Sequence, residues 1–493
     1  MQDQVNPKAY STLAVDVDGT LLRTDLLHES VFALLKKSPF YAFMLPLWLM
    51  RGKAHLKQMI ANRVDLQVEL LPYREDFVDY LREEHASGRR LMLATASNIR
   101  YAQGIADHLG LFSWVLGSTE SENLSGARKL AHIKAELGAE GFAYAGNSAV
   151  DLPIWEAAGT AVLVNTPTLV KARAEKVSNV VRVFSEQESY LKAFVKAMRP
   201  HQWLKNLLIF VPLVLSQHLD EIQLDNQAFL AFLSFCFCAS SVYLLNDLLD
   251  LSADRQHPTK RFRPFAAGDL PIVYGVIGML ALLLCSFGIA LILPPFFLGV
   301  LIIYYVCTMA YSLWLKSAML IDALTLAALY TLRLIAGAAA ITVPLSFWLL
   351  AFSMFIFLSL AFIKRYSELL LLTQSGRQQL LGRAYQTVDM ETLAQFGTAS
   401  GYLAVLVMAF YVNSDNVFEG YQRPEALWLL CPMMLYWISR MWVVTRRGEM
   451  HDDPVVFTIK DPRTYWLGVI AAIALLVATY WPVVREFIPD YFL

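Results

Sequence analysis

The chain is poor in charged residues, in cysteine and in net charge of either sign. Only 17% of its 493 residues are charged and 56% are hydrophobic, whereas soluble globular domains are about 25% charged. This excludes an ordinary soluble protein and indicates that part of the chain lies in lipid. The 41 basic and 42 acidic residues leave a net charge of −1, which argues against nucleic acid as a partner.

Cysteine is too scarce for a disulfide scaffold or a cysteine-based metal site. All five cysteines fall in apolar runs of the second half and none forms a CxxC pair. We interpret them as small buried hydrophobic residues: Cys236, Cys238, Cys285, Cys307 and Cys431.

Charge-free runs long enough to cross a bilayer are absent before residue 205 and frequent after it. An ionised side chain near the bilayer centre costs about 3 kcal/mol, so such runs mark membrane spans. They cover 206–219, 226–246, 270–315, 334–363, 392–414, 426–439 and 464–484. The run 270–315 has room for two helices broken at Pro294-Pro295, and a further helix is expected over 320–340. Residues 196–493 are therefore predicted to form an all-α polytopic membrane bundle of about nine transmembrane helices, with a margin of one.

Lysine and arginine concentrate in one set of the loops between these runs. The opposite set contains only Arg423. Because short cytoplasmic loops are rich in cations, we expect the cation-rich loops, the N-terminal domain and both active sites to face the cytoplasm, with Leu493 on the other side. The chain is predicted to be a multi-pass protein of the inner (plasma) membrane without a signal peptide.

Residues 1–195 alternate short apolar runs with helical patterns. Strands are predicted over 12–17, 91–96, 114–117, 142–146 and 161–164, which indicates a doubly wound α/β domain. Residues 24–80 read as an inserted helical cap. Its apolar stretch Phe40–Met50 is interpreted as a contact between cap and core, in preference to a membrane-surface segment.

The first strand ends in the sequence Asp16-Val17-Asp18-Gly19-Thr20. Carboxylates two residues apart on a strand end point the same way, and the turn behind them exposes backbone amides to an anion. Three further motifs follow in order, centred on Thr95, Lys129 and Asp151. Together they resemble the haloacid dehalogenase-like hydrolases.

That resemblance implies a phosphatase in which Asp16 attacks phosphorus and Asp18 acts as general acid and base. It implies Mg²⁺ as cofactor, drawn to Asp16, Asp18 and Asp151, with Thr95 and Lys129 on the phosphoryl oxygens. One departure is Asn147, where the family usually has an aspartate. We favour a working phosphatase, and a degenerate regulatory or structural domain is the alternative.

An aspartate-rich segment follows the second predicted span. On a continuous helix Asn246, Asp250 and Asp254 share one face, with Asp247 adjacent. Carboxylates so close together repel unless a divalent cation such as Mg²⁺ lies among them. A solvated charged turn is the alternative, but it does not explain their position at the end of a span.

This segment resembles the first aspartate-rich motif of the UbiA superfamily of membrane prenyltransferases. The cations that follow suit a substrate with more phosphate than one diphosphate, although a cluster set only by membrane orientation is the alternative. These cations are Lys260, Arg261 and Arg263.

A second group of polar residues surrounds the connection between the fourth and fifth spans. Asp322 and Arg333 share a helix face, so Arg333 is expected to meet Asp322 or a phosphate, and a structural ion pair is the alternative. Tyr311, Lys316 and Lys364 are the further members.

Leu326 stands where aromatic prenyltransferases carry another carboxylate. With the segments 199–206 and 453–457, this pattern resembles the decaprenyl-phosphate phosphoribosyltransferase branch over residues 199–480. The branch implies that a polyprenyl phosphate attacks C1 of 5-phosphoribosyl diphosphate. Mg²⁺ on Asp247, Asp250 and Asp254 would stabilise the diphosphate, while Asn246 and the cations bind substrate.

The fusion of the two domains predicts two consecutive reactions, with the N-terminal domain removing the ribose 5-phosphate. The alternative is a prenyltransferase acting on an aromatic acceptor. The sequence is also compatible with a homo-oligomer.

Overall fold

The computed structural model describes residues 11–481, apart from 186–188, 217–220, 375–382, 415–416, 418–420 and 451–452. The chain divides into two compact units. The first comprises Met1–Arg199 with Tyr243–Ala281, and the second comprises Pro200–Val242 with Leu282–Leu493. The first unit thus includes a segment that the predicted boundary between residues 195 and 196 assigns to the membrane domain.

A six-stranded parallel sheet with the order β3-β2-β1-β4-β5-β6 forms the centre of the first unit. The strands are β1 Thr12–Val15, β2 Arg90–Asn98, β3 Trp114–Ser118, β4 Phe142–Gly146, β5 Thr160–Val164 and β6 Val180–Phe184. The predicted doubly wound α/β fold and its five strands are confirmed. The sequence analysis missed β6 because its residues are only partly buried and Arg182 interrupts the apolar run.

Helices cover both faces of this sheet. Leu13 and Val15 belong to a core that includes Phe77 and Ile105, whereas Ala14 on the other face packs with Trp155. The helices of the N-terminal part are α1 Leu26–Lys37, α2 Tyr41–Met50, α3 Lys53–Ala61, α4 Glu75–Ala86, α5 Ile99–Leu109, α6 Ala127–Leu137, α7 Leu152–Ala157, α8 Thr168–Val177 and α9 Tyr190–Met198.

The predicted helical cap is present as α1, α2, α3 and the beginning of α4. It has its own small core, in which Trp48 of α2 packs with Leu34 and Ile60. The preferred interpretation of Phe40–Met50 is wrong for most of that stretch, because Phe43 and Met50 are 76% and 84% exposed. Only the face of α2 that carries Trp48 packs onto the cap.

The remaining helices form the all-α part of the chain. They are α10 Val211–Leu215, α11 Ile222–Leu249, α12 Leu251–Gln256, α13 Pro264–Ala267, α14 Ile272–Ala290, α15 Pro295–Leu313, α16 Ile321–Ile341, α17 Phe347–Gln374, α18 Met390–Val412, α19 Leu430–Arg446, α20 Pro454–Lys460 and α21 Pro462–Thr479. Within the described ranges, eight helical segments are long and apolar enough to cross a membrane, which agrees with about nine predicted spans. The chain is a multi-pass membrane protein.

The first predicted span is the one without a counterpart among these eight. Pro200–Phe210 is a 3-10 helix, and it leads into the five-residue helix α10. The end of that predicted run, 217–219, lies outside the described residues.

Small residues let the membrane helices approach closely. A Cβ on Gly337 of α16 would lie 2.1 Å from the carbonyl oxygen of Ile209, and one on Gly397 of α18 would lie 2.1 Å from the Trp442 ring. Such contacts suit a bundle in which van der Waals packing drives helix association.

Candidate active sites

The first candidate site lies at the carboxyl ends of β1 and β4, which are neighbours in the sheet. The amide of Asp16 continues the pairing by donating to the Ala145 carbonyl at 3.0 Å. Gly19 has a φ of +74°, and a Cβ there would lie 2.1 Å from the Asn147 side chain. Only glycine therefore fits this turn, which brings the first and fourth motifs together.

Lys129 connects the carboxylates of these two strands. Its Nζ lies 2.8 Å from Oδ1 of Asp16 and 3.8 Å from Oδ1 of Asp151, and it donates to the Tyr144 hydroxyl at 3.0 Å. Burial raises the pKa of Asp16 to about 6, although Lys129 partly offsets this. Burial by itself lowers the pKa of Lys129, but the charges of Asp16 and Asp151 raise it overall, which keeps the lysine protonated.

Asp18 is held in a different setting from Asp16. Its Oδ1 accepts from the Leu26 amide at 2.8 Å, and its Oδ2 accepts from the Ser97 hydroxyl at 2.6 Å, with Thr95 at 3.5 Å. Burial, then the charges of Asp25 and Asp16, raise the pKa of Asp18 to about 7. A group with this pKa can give and take a proton near neutral pH.

Ser97 was missed by the sequence analysis. It lies two residues after Thr95 on the same strand, so both side chains point to the same side. The alternation of side-chain direction along a strand could therefore have identified Ser97 from the sequence.

Both carboxylate oxygens of Asp151 accept hydrogen bonds from residues close to it in the sequence. Its Oδ2 accepts from the amides of Asn147 and Ser148 at 3.2 and 3.0 Å, while Tyr144 donates to Oδ1 at 2.9 Å. Asn147 thus contributes its backbone to this site, and its side chain lies against Gly19.

The residues of this site fit a hard divalent cation by chemistry. Asp16, Asp18 and Asp151 offer carboxylate oxygens, the ligands that Mg²⁺ prefers, and burial disfavours the charged forms of Asp16 and Asp18. In the part of the chain that the structure describes, no three acidic, histidine or cysteine side chains already converge as a metal cage. Lys129 supplies the compensating charge between Asp16 and Asp151.

A cavity of about 540 Å³ opens at Asp18. All of its lining residues belong to the first unit. Polar groups such as His28 and Asn147 line one part, while Pro271, Ile272 and Val273 line another. Ile272 and Val273 begin α14, a candidate membrane span, so the cavity is lined both by polar residues and by the apolar start of a span.

The aspartate-rich segment is helical but not one continuous helix. Helix α11 ends at Leu249 and α12 begins at Leu251, so the predicted uninterrupted helix is wrong at Asp250, whose φ and ψ are −104° and 16°. The helical spacing nevertheless persists, because the Asp250 amide donates to Asn246 and the Asp254 amide donates to Asp250.

Each carboxylate of this segment contacts a cation. Arg199 and Arg263 both contact Oδ1 of Asp247, and Arg263 also lies 2.7 Å from Oδ2 of Asp254. Asp250 contacts Lys36 of the cap at 2.8 Å. Arg263 was predicted to bind substrate, and here it bridges two aspartates; Arg199 was missed as a partner because it lies 48 residues before Asp247.

Asp247 is the residue of this segment whose surroundings best suit a metal ion. Its side chain is 2% exposed, and within the described structure its Oδ2 is buried without a hydrogen-bond partner. An orphaned carboxylate oxygen beside Asp250 and Asp254 suits a divalent cation. By contrast, Lys260 and Arg261 are exposed on the 3-10 helix Lys260–Phe262, where Arg261 stacks over the Phe262 ring.

In the second unit Asp322 is the centre of a buried ion network. It accepts from the Tyr311 hydroxyl at 2.7 Å, and it contacts Arg365 at 2.6 Å and Arg383 at 3.1 Å. The predicted meeting of Asp322 with Arg333 is wrong, since eleven residues along one helix separate them by about 16 Å.

Arg333 instead donates to Asn206 at 2.8 Å and to Tyr304 at 3.0 Å. Arg365 and Arg383 were missed because sequence gives no sign of pairing across 43 and 61 residues.

A second cluster joins three distant segments of the same unit. Lys205 and Lys364 each donate to Oδ2 of Asp453 at 2.9 Å. Burial raises the pKa of Asp453, but the two lysines outweigh it and hold that pKa below its usual range. The cluster therefore carries one more positive than negative charge. Lys316, also predicted to bind substrate, is half-buried on the 3-10 helix Leu315–Ser317.

Two family models match the chain. The UbiA prenyltransferase family matches residues 209–369, and the haloacid dehalogenase-like hydrolases match residues 13–156.

One relative matches nearly the whole chain and another matches its C-terminal part. The uncharacterized protein y4nM of Sinorhizobium fredii is 36% identical over 94% of this chain and 90% of its own length. The decaprenyl-phosphate phosphoribosyltransferase of Mycobacterium tuberculosis is 38% identical over 54% of this chain and 87% of its own length. A solved UbiA homologue from Archaeoglobus fulgidus bound to GPP and Mg²⁺ aligns with a TM-score of 0.44 at 15% identity, over 58% of this chain and 98% of that one.

Proposed function

We propose that this chain, which belongs to the UbiA prenyltransferase family in its C-terminal part and carries a haloacid dehalogenase-like hydrolase domain at its N-terminus, catalyses two consecutive reactions. The first transfers 5-phosphoribose from 5-phosphoribosyl diphosphate to a polyprenyl phosphate such as decaprenyl phosphate. The second hydrolyses the ribose 5-phosphate of that lipid. Both sites would face the cytoplasm from the inner membrane.

The aspartate-rich segment supports the transfer step. Mg²⁺ held by Asp247, Asp250 and Asp254 would neutralise the departing diphosphate. Arg199 and Arg263 contact these aspartates, so both guanidinium groups lie where they would bind phosphate oxygens of a donor beside the metal.

Two features of the second unit favour a ribosyl over a prenyl donor. Asp322 is saturated by Arg365 and Arg383, and Leu326 follows it where a second metal site would need a carboxylate. The excess positive charge of the Lys205, Lys364 and Asp453 cluster suits a donor that carries a second phosphate. The decaprenyl-phosphate phosphoribosyltransferase relative described above points the same way.

The hydrolase site supports the second step. Asp16 would attack the phosphorus while the bond to the ribose 5-oxygen breaks, and Asp18 would protonate that oxygen. Asp18 would then take a proton from the water that cleaves the aspartyl-phosphate and releases inorganic phosphate. Lys129 would hold the phosphoryl oxygens, and Mg²⁺ on Asp16, Asp18 and Asp151 would offset their charge.

The single observation that carries the coupling of the two steps is the cavity at Asp18. Its apolar wall begins the span α14, so a phosphate ester attached to a membrane lipid can reach Asp18 with its chain beside Ile272 and Val273. Tethering the two activities would raise the effective concentration of the intermediate into the millimolar range, on the order of that for short linkers.

The experiment is incubation of the purified full chain with labelled 5-phosphoribosyl diphosphate and polyprenyl phosphate, with the lipid products identified by mass. We expect a polyprenyl-phosphoribose without the 5-phosphate. Transfer of a prenyl group to an aromatic acid, without turnover of the ribosyl donor, would contradict the proposal. Accumulation of only the 5-phosphorylated lipid would contradict the hydrolase step alone.

A further inference from the structure

Helix α2 of the cap presents an apolar surface that none of the described residues of the first unit covers. Residues 38–50 contain no charged side chain. Phe40, Phe43 and Met50 are 75%, 76% and 84% exposed, and Leu47 is 55% exposed. Exposed apolar patches of this kind mark interaction sites in native proteins.

The opposite face of α2 already has its partner. Trp48 is buried in the cap core, where Tyr41 and Leu45 pack beside it. The guanidinium of Arg63 lies 4.9 Å from the Trp48 ring. This face fixes the orientation of the helix, so the outer apolar residues point away from the cap as a group.

The cap is attached to the end of a membrane span. Lys36 of α1 contacts Asp250 at 2.8 Å, and Glu29 of α1 forms a two-pronged ion pair with Arg255, in which both side chains are less than 10% exposed. Asp250 directly follows Leu249, the last residue of the candidate span α11. Phe40, the first of the exposed apolar residues, therefore follows by only four residues the lysine that contacts the end of a span.

The length of α2 and the charges at its ends indicate how it would contact a membrane. Ten helical residues extend about 15 Å, half of the roughly 30 Å hydrocarbon core, so α2 cannot cross the bilayer. Exposed cations stand at both of its ends, where anionic headgroups attract them. They are Lys37, Arg51 and Lys53.

We propose that α2 inserts its outer face into the headgroup region of an anionic bilayer and gives the cap a second attachment to the membrane. The occupant is lipid, because the same chain supplies the spans that bring a bilayer to this cap. This attachment would exist whether or not the hydrolase site is active, so it is independent of the proposed function.

The test places a photoreactive p-benzoylphenylalanine at Phe43 of the full chain in nanodiscs of phosphatidylglycerol and phosphatidylcholine. Leu169 of α8, which is 81% exposed on a helix that also carries Lys171 and Arg173, is the matched negative control. Leu284 of the span α14, 74% exposed, is the positive control. We expect lipid adducts by mass at positions 43 and 284 and none at 169.

We also expect the yield at position 43 to fall when phosphatidylcholine replaces all phosphatidylglycerol, and when Lys37, Arg51 and Lys53 are changed to Gln. Absence of a lipid adduct at position 43 with a normal adduct at 284 would overturn the proposal. A cross-link from position 43 to a second copy of the chain, in place of lipid, would overturn it as well. An unchanged yield without phosphatidylglycerol would overturn the role of anionic lipid.

Discussion

The carboxylates of the N-terminal site and those of the second unit differ in how their charge is compensated. In the N-terminal site burial raises the pKa of Asp16 to about 6, with Lys129 as the opposing charge, and burial together with the charges of Asp25 and Asp16 raises the pKa of Asp18 to about 7. In the second unit Asp322 and Asp453 each contact two cations. The N-terminal carboxylates thus have the charge environment that the proposed metal and proton transfer require, whereas Asp322 and Asp453 each hold two cations in place.

The largest expected effect follows from changing Asp247, which combines both situations: two arginines share its Oδ1, while its buried Oδ2 has no hydrogen-bond partner within the described structure. Asp247→Asn should lower transfer by a factor on the order of 10⁴ or more, because the buried oxygen without a hydrogen-bond partner becomes an amide. The measurement is diphosphate release by the full chain. Hydrolysis of separately supplied phosphoribosyl lipid should continue, which shows that the variant is folded. Asp250→Ala should also abolish transfer, and normal diphosphate release by either folded variant would refute the metal role.

The corresponding change at a carboxylate that holds two cations should act on stability. Asp322→Asn removes one of the two carboxylates that contact Arg365, whose side chain is fully buried, and leaves only Glu368. Breaking a buried pair in this way costs about 3–5 kcal/mol. Thermal unfolding in detergent should show the loss. Glu391→Gln is the matched control, because its contact with Arg446 is exposed. Equal melting temperatures for the two variants would show that the Asp322 network is not structural.

The cation of the N-terminal site should matter for the reaction more than for folding. Lys129→Met should slow phosphate release by about 10²–10³-fold, since Lys129 is the buried cation between Asp16 and Asp151. Lys134→Met, on the exposed side of the same helix, serves as the control. A Lys129→Met rate within the range of the control would exclude the lysine from catalysis.

The smallest of these effects distinguishes two neighbouring arginines. Arg263 bridges Asp247 and Asp254, whereas Arg261 is exposed. Arg263→Ala should raise the KM for 5-phosphoribosyl diphosphate by an amount equivalent to about 1.5–3 kcal/mol and leave the KM for polyprenyl phosphate nearly unchanged. Arg261→Ala should have less effect. The reverse order would mean that exposed charge, not the bridge, binds the donor.

The sequence could predict the hydrolase fold and motifs because each motif follows a strand. The carboxyl ends of parallel strands meet at one edge of the sheet, so the sequence alone predicts that Asp16, Thr95 and Asp151 lie close together. The number of spans was also predictable, because a charged side chain is costly in lipid and charge-free runs therefore mark the spans without any knowledge of how they pack.

Contacts between distant segments were not predictable. Nothing in the local sequence pairs Asp322 with Arg383, or Asp453 with Lys205, and helix-face reasoning chose Arg333 because it ignored the rise along the helix. The sequence also favoured the wrong one of two interpretations of Phe40–Met50, because an apolar run has the same composition whether it packs on protein or is exposed. Both errors concern what a side chain contacts in the folded protein. The chemistry of a side chain restricts its possible contacts but does not determine which of them forms.

The central claim is that one chain performs transfer and hydrolysis in that order, and a pulse of donor labelled with ³²P at the 5-phosphate tests it most directly. In the wild-type chain the label should enter the lipid first and then appear as inorganic phosphate. In Asp16→Asn it should stay in the lipid, because a carboxamide cannot form the aspartyl-phosphate. Release of labelled phosphate from the lipid at the wild-type rate in Asp16→Asn, or before any label enters the lipid in the wild type, would contradict the account.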